Sequence, residues 1–201
     1  LILGSPEEVK ERFFALETRW SRSVFFGTEV VCTEWGIPVC KALDAVVPKG
    51  SKWRFLNSGL IAGRGHVLRR ILELGRGDSI DHDQEWWRVY FLNHTDIIGL
   101  DLFTELFCVV AAVEGVFSGD WMAMLGQPPG ALVMKKLEGR RPFISNEDTN
   151  SRPLILHFPG PGHWQGWLPA DRQTTVAVRG EGTFYDLLHI LRGDVQSCTI
   201  H

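Results

Sequence analysis

Apolar residues along the chain change their period several times, and each change marks an element. Val9, Phe13 and Leu16 recur at helical spacing. Ser5-Pro6-Glu7-Glu8 supplies the matching start, with Ser5 as N-cap, Pro6 at the first helical position and Glu8 completing a capping box. Val24 to Cys32 abandons that period for β-branched and aromatic residues and predicts a buried strand. A second strand is predicted from Phe55 to Ala62. His66 to Leu74 returns to helical spacing, with Val67, Leu68, Ile71 and Leu72 on one face and Gly75 as the stop.

The polar turn from Gly77 to Asp83 leads into a helix over Gln84 to Leu92, which carries Trp86, Trp87 and Tyr90. Two apolar runs follow, Ile97 to Phe103 and Leu106 to Val113, and Gly126-Gln127-Pro128-Pro129-Gly130 marks a loop. Asn146 to Pro153 is polar and turn-like. It precedes a short strand, Leu154 to Phe158, that ends in Pro159-Gly160-Pro161-Gly162. Thr174 to Val178 reads as a strand and Thr183 to Leu191 as an amphipathic helix with a Thr183/Asp186 cap. No internal repeat interrupts this order. Helices alternating with buried strands predict a layered α/β domain.

Composition narrows the picture. The 201 residues, 44% of them hydrophobic, suffice for one sizeable core. Basic and acidic residues are interspersed around a net charge of -3, without the basic stripe of a nucleic-acid binder. No apolar run reaches the roughly 18 residues needed to cross a bilayer. Leu1-Ile2-Leu3 lacks a basic region of the kind that opens a signal peptide, and the absence of an initial Met suggests an excised or processed piece. Cys32, Cys40, Cys108 and Cys198 are too widely spaced for a thiolate zinc site, and either buried thiols or disulfides suit them. Asn93-His94-Thr95 is a glycosylation sequon. Eight Trp residues is a high count for this length; most suit the core, and any surplus suits the C–H groups of sugar faces.

Open α/β sheets bind ligands where strands end in glycine-rich or acidic turns. Four such places occur: Thr28-Glu29 leading to Cys32-Thr33-Glu34-Trp35-Gly36, Asn57-Ser58-Gly59, Asp81-His82-Asp83-Gln84, and His157 with its Gly/Pro loop. Each has a plainer reading. Glu29 suits a solvated strand edge, Trp35 a core, Asn57 a turn, Asp81 and Asp83 a helix start, and His157 a hydrogen-bonded place in a buried strand. Only the set makes a case for function.

In order, the set is Leu3-Gly4-Ser5-Pro6, Glu29 with Glu34-Trp35-Gly36, Arg54-Phe55-Leu56-Asn57-Ser58-Gly59 with Gly63, Asp83-Gln84, and His157 with Gly160-Pro161. It resembles the glycosyltransferase domain of the procollagen lysyl hydroxylases and related collagen glycosyltransferases, over roughly residues 1 to 165. The resemblance implies a GT-A-like (Rossmann-like) α/β fold, a mixed sheet flanked by helices, without its N-terminal nucleotide-binding βα unit. Residues 1–165 would be the C-terminal part of that domain and 166–201 an extension of unknown role.

The resemblance further implies a UDP-sugar donor, a hydroxyl acceptor such as hydroxylysine or galactosyl-hydroxylysine, manganese, and the lumen of the secretory pathway. His157 would ligate the metal, and Gly160, Pro161 and Gly162 would approach the phosphates. Asp83, with Asp81, would lie at the transferred sugar as the catalytic carboxylates. Asn57, Ser58, Gly59, Trp35, Glu29 and Gln84 would bind donor or acceptor. The family's Asp-x-Asp would fall before Leu1, and Thr33, His82, Pro159 and Val109-Val110-Ala111-Ala112 depart from its pattern. Two rivals remain. One is a non-catalytic GT-A-like module that binds a glycan or partner. The other is an iron and 2-oxoglutarate oxygenase, for which His94-x-Asp96, His157 or His163, and Arg172 imitate the required order.

Overall fold

In the computed structural model, the described residues are 2–30, 32, 37–75, 83–109, 132–135 and 143–157. They belong to two compact units, Leu1–Val110 with Pro153–His157, and Ala111–Arg152 with Phe158–His201. The first unit begins with helix α1, Pro6–Trp20, whose capping box forms as its sequence predicts. The Ser5 N–H donates to Glu8 Oε2 at 2.8 Å, and the Glu8 N–H donates to Ser5 Oγ at 3.1 Å. Ser21 ends the helix in the left-handed region, its N–H returning to the Glu17 carbonyl.

Strand β1, Val24–Glu29, is buried along its whole length. Both of its faces are covered, which explains why the run lacks alternation, and it has a strand on each side. Antiparallel β2, Phe55–Gly63, lies on one side and parallel β3, Ile98–Leu100, on the other. Beyond them, β4 (Phe107–Val109) pairs in parallel with β7 (Ile155–His157). The result is a mixed α/β unit with a small mixed sheet. Helices α2 (Ile37–Val46), α3 (Gly65–Leu74) and α4 (Asp83–Asn93) accompany it. Val24, Phe26, Leu43, Leu56, Ile71, Trp87, Phe91, Ile98 and Leu100 share one apolar cluster. None of these helices is long and apolar enough to cross a membrane.

Several expectations change in detail. The first strand stops at Glu29 rather than Cys32. Helix α2 has no counterpart in the sequence reading. Its C-terminal carbonyls at Asp44 and Val47 accept from the Arg54 guanidinium, and a disulfide joins its Cys40 to Cys32. Leu72 points to solvent, so the buried face of α3 centres on Ile71. Gly75 ends α3 in the right-handed region, and a methyl there would stand 2.5 Å from Trp86 Cζ2. Close packing against Trp86, rather than a left-handed turn, is what requires glycine.

In the second unit, β5 (Leu132–Lys135) and β6 (Phe143–Asn146) form an antiparallel hairpin that the sequence pattern did not signal. The predicted polar turn follows it. Asn146 and Ser151 exchange backbone hydrogen bonds across this turn, and Asn150 adopts φ 50°. The predicted loop at 126–130, the strand at 174–178 and the helix at 183–191 lie outside the described residues.

Candidate functional site

The site grows from an irregularity in the β1–β2 ladder. Phe26 faces Ile61 and Gly27 faces Asn57, so Ser58, Gly59 and Leu60 arch out between them. Gly27 makes room for the arch, because a methyl at that position would stand 2.8 Å from Leu60 Cβ. Backbone donors freed from a ladder need other partners. The Ser58 N–H donates to Gln84 Oε1 at 3.1 Å, and the Gly59 N–H donates to Asn57 Oδ1 at 3.0 Å.

Both amide side chains turn their NH2 groups to Glu29, the last residue of β1. Asn57 Nδ2 donates to Oε2 at 3.2 Å and Gln84 Nε2 to Oε1 at 3.4 Å. Arg88, one helical turn beyond Gln84 on α4, donates from Nη2 to Glu29 Oε1 at 2.7 Å. Its Nε donates to the Leu56 carbonyl at 3.1 Å. Glu29, Asn57 and Arg88 are all buried. The arch meets its fourth segment at His157, the last residue of β7. A methyl on Gly59 would stand 2.2 Å from His157 Nε2, so the imidazole lies directly on the glycine backbone.

Burial pushes the Glu29 carboxyl up to about 7, against the opposing pull of Arg88 and Asn57. Burial also lowers the Arg88 guanidinium from its ordinary value, while Glu29 opposes that shift. His157 is held below the usual histidine range by burial, so its ring is neutral at neutral pH. The site therefore offers a carboxyl near its titration point, a neutral imidazole and carboxamides on a glycine arch. Groups of this kind exchange hydrogen bonds with hydroxyls and take up or release a proton near neutral pH.

Of the residues singled out from the sequence, Glu29, Asn57, Ser58, Gly59, Gln84 and His157 come together here. Asp83 opens α4 with an exposed side chain and makes no contact with Glu29 among the described interactions. Trp35, Asp81, Gly160, Pro161 and Gly162 lie outside the described residues. Arg88 was missed. Its signal was the four-residue step from Gln84, which puts both side chains on one face of a helix.

The described residues contain no group of three or more His, Cys, Asp or Glu side chains able to hold an ion. A hard divalent cation takes several oxygen ligands, so among the described residues His157 would be one member of such a site and not the whole of it. His94, Asp96 and His157 likewise form no such group, which leaves the oxygenase pattern without geometric support among the described residues. His94 instead stacks on Tyr90, with ring centroids 3.9 Å apart, while its Nδ1 lies 2.9 Å from the Tyr90 carbonyl. His163 and Arg172 lie outside the described residues. Cys32 and Cys40 form a disulfide and Cys108 is a buried thiol, which resolves three of the four cysteines. In comparisons with known proteins, no family model matches the chain and no curated protein does.

Proposed function

We propose that residues 1–165 of this chain are the C-terminal part of a GT-A-like glycosyltransferase domain. It moves a sugar from a UDP-sugar to a hydroxyl acceptor, with hydroxylysine or galactosyl-hydroxylysine of collagen-like protein as the acceptor class. The observation that carries this reading is convergence: Glu29, Asn57, Gln84 and His157 come from four separate segments and meet around Gly59. These residues were singled out by their order in the sequence, and that order alone does not require them to meet. Glu29 and Asn57 orient hydroxyls of donor or acceptor, His157 borders the arch as a neutral hydrogen-bonding ring, and Asp83 serves turnover from the start of α4. Manganese is the cofactor implied by the resemblance, with His157 as its proposed ligand. The Cys32–Cys40 disulfide supports an oxidising lumen as the compartment.

The test is a pair of variants assayed for UDP binding and UDP-sugar turnover. His157→Ala is expected to weaken manganese-dependent UDP binding, and Asp83→Ala to lower turnover with UDP affinity retained. Unchanged binding and turnover in both variants would overturn the assignment. One observation favours a second reading, a non-catalytic glycan-binding module: both Glu29 oxygens are already engaged by protein donors. Saturable glycan binding without UDP-sugar turnover would select that reading.

A further inference from the structure

Arg88, like Gln84, joins β2 to Glu29, and it is the charged member of the cluster that does so. Its Nε holds the Leu56 carbonyl, next to the Asn57 that begins the arch, and its Nη2 holds Glu29 Oε1. A carboxylate offers about four lone-pair positions. On Glu29, Oε1 is occupied by Arg88 and Gln84, whereas among the described residues Oε2 accepts only from Asn57. Oε2 therefore retains capacity for one more donor. The Glu29 side chain is 11% exposed and so not fully enclosed. With Glu29 ionised, the Arg88–Glu29 pair carries no net charge, which suits a neutral hydroxyl better than an anionic group.

We propose that Arg88 is the positioning residue of this site, turning Glu29 so that Oε2 accepts a hydrogen bond from a hydroxyl of a neutral sugar. The inference rests on the glycosyl-transfer reading for the identity of the ligand, but the Arg88–Glu29 coupling can be tested without one. Among the described residues, three charged groups are in play: Glu29, Arg88 and Glu85. Glu29 faces Arg88 from β1, and Glu85 acts on Arg88 from α4 itself. His157 approaches the arch from β7 as a neutral ring.

The experiment uses the full-length protein with isotope-labelled Glu carboxyl groups, the Glu29 signal being assigned by its loss in Glu29→Gln. The carboxyl is titrated by NMR in wild type, Arg88→Lys and Arg88→Met. Removing the cation should raise the Glu29 midpoint by about one pH unit or more in Arg88→Met, with the lysine variant in between. Coincident titrations in wild type and Arg88→Met would overturn the proposal. Where Arg88→Met fails to fold, Arg88→Lys carries the titration, because it keeps the charge and changes only its geometry. A wild-type titration in Arg88→Lys would then overturn the proposal.

A second readout is UDP-glucose and UDP-galactose turnover with water as acceptor. Arg88→Lys should lower kcat about tenfold and leave KM within about twofold, the signature of a positioning effect. An unchanged kcat would count against the proposal. Wild-type protein that turns over neither donor, yet shows the Arg88-dependent titration, would overturn the glycosyl-transfer reading and leave the positioning role standing.

Discussion

Glu29 sits where burial and pairing oppose each other, and its titration reports which prevails. Burial raises its carboxyl from 4.5 to about 7 in the folded protein. The folded state therefore holds a proton that the unfolded chain releases between these values. Stability should then fall as pH rises through that window, with the loss complete above about pH 7. Asp101 contributes with the same sign. Burial raises it from 3.8 to about 6 despite the N–H groups of Glu105, Leu106 and Phe107 that it accepts. Comparison with Glu29→Gln isolates the Glu29 share. The wild type should take up close to one more proton on folding near pH 6 than this variant. Equal proton uptake would contradict the assignment.

Gly59 gives a second prediction at this scale. Gly59→Ala places a methyl against His157, so it should cost about 1–3 kcal/mol by overpacking and displace the imidazole. Denaturant unfolding and the His157 ring signals in NMR check it, and unmoved ring signals would contradict it. Glu29 and His157 were legible as candidates because polar residues end their strands, and Asn57 and Gly59 because a polar, glycine-bearing step interrupts an apolar run. Arg88 was not, because an arginine on an amphipathic helix ordinarily extends into solvent. Only the helix's position against β2 turns it inward.

Elements with local signals were read well, and those fixed from outside were not. Helix α1 carries its start in Ser5, Pro6 and Glu8, and the reciprocal hydrogen bonds form. Ser5→Ala should therefore lower stability by about 1 kcal/mol in denaturant unfolding. Helix α2 has no comparable start signal and is held by Arg54 and the Cys32–Cys40 bond, both of which are tertiary facts. The three-residue strands β3, β4 and β7 are too short for a period to define their ends. Nor does any local pattern give the register step at Phe26/Gly27 that creates the arch. That step depends on the fit of Leu60 over Gly27, across more than thirty residues of chain.

At the scale of the whole molecule, the site exists because the ends of β1 and β7, the arch of β2 and the first turns of α4 come together. The sequence supplied the four segments and their order, and long-range pairing brings them together. The Cys32–Cys40 bond closes a short loop just beyond Glu29, with a sequence separation of 8. Its reduction should lower stability by about 2–3 kcal/mol, which thermal unfolding with and without reductant would register. An unchanged melting temperature in demonstrably reduced protein would argue that the bond does not constrain the fold.

The central claim is that this cluster belongs to a UDP-sugar glycosyltransferase. Calorimetric titration of UDP into the full-length protein, with and without manganese, tests it most directly. The account predicts saturable binding at one site that requires the metal. A folded sample that binds no UDP under either condition would contradict it.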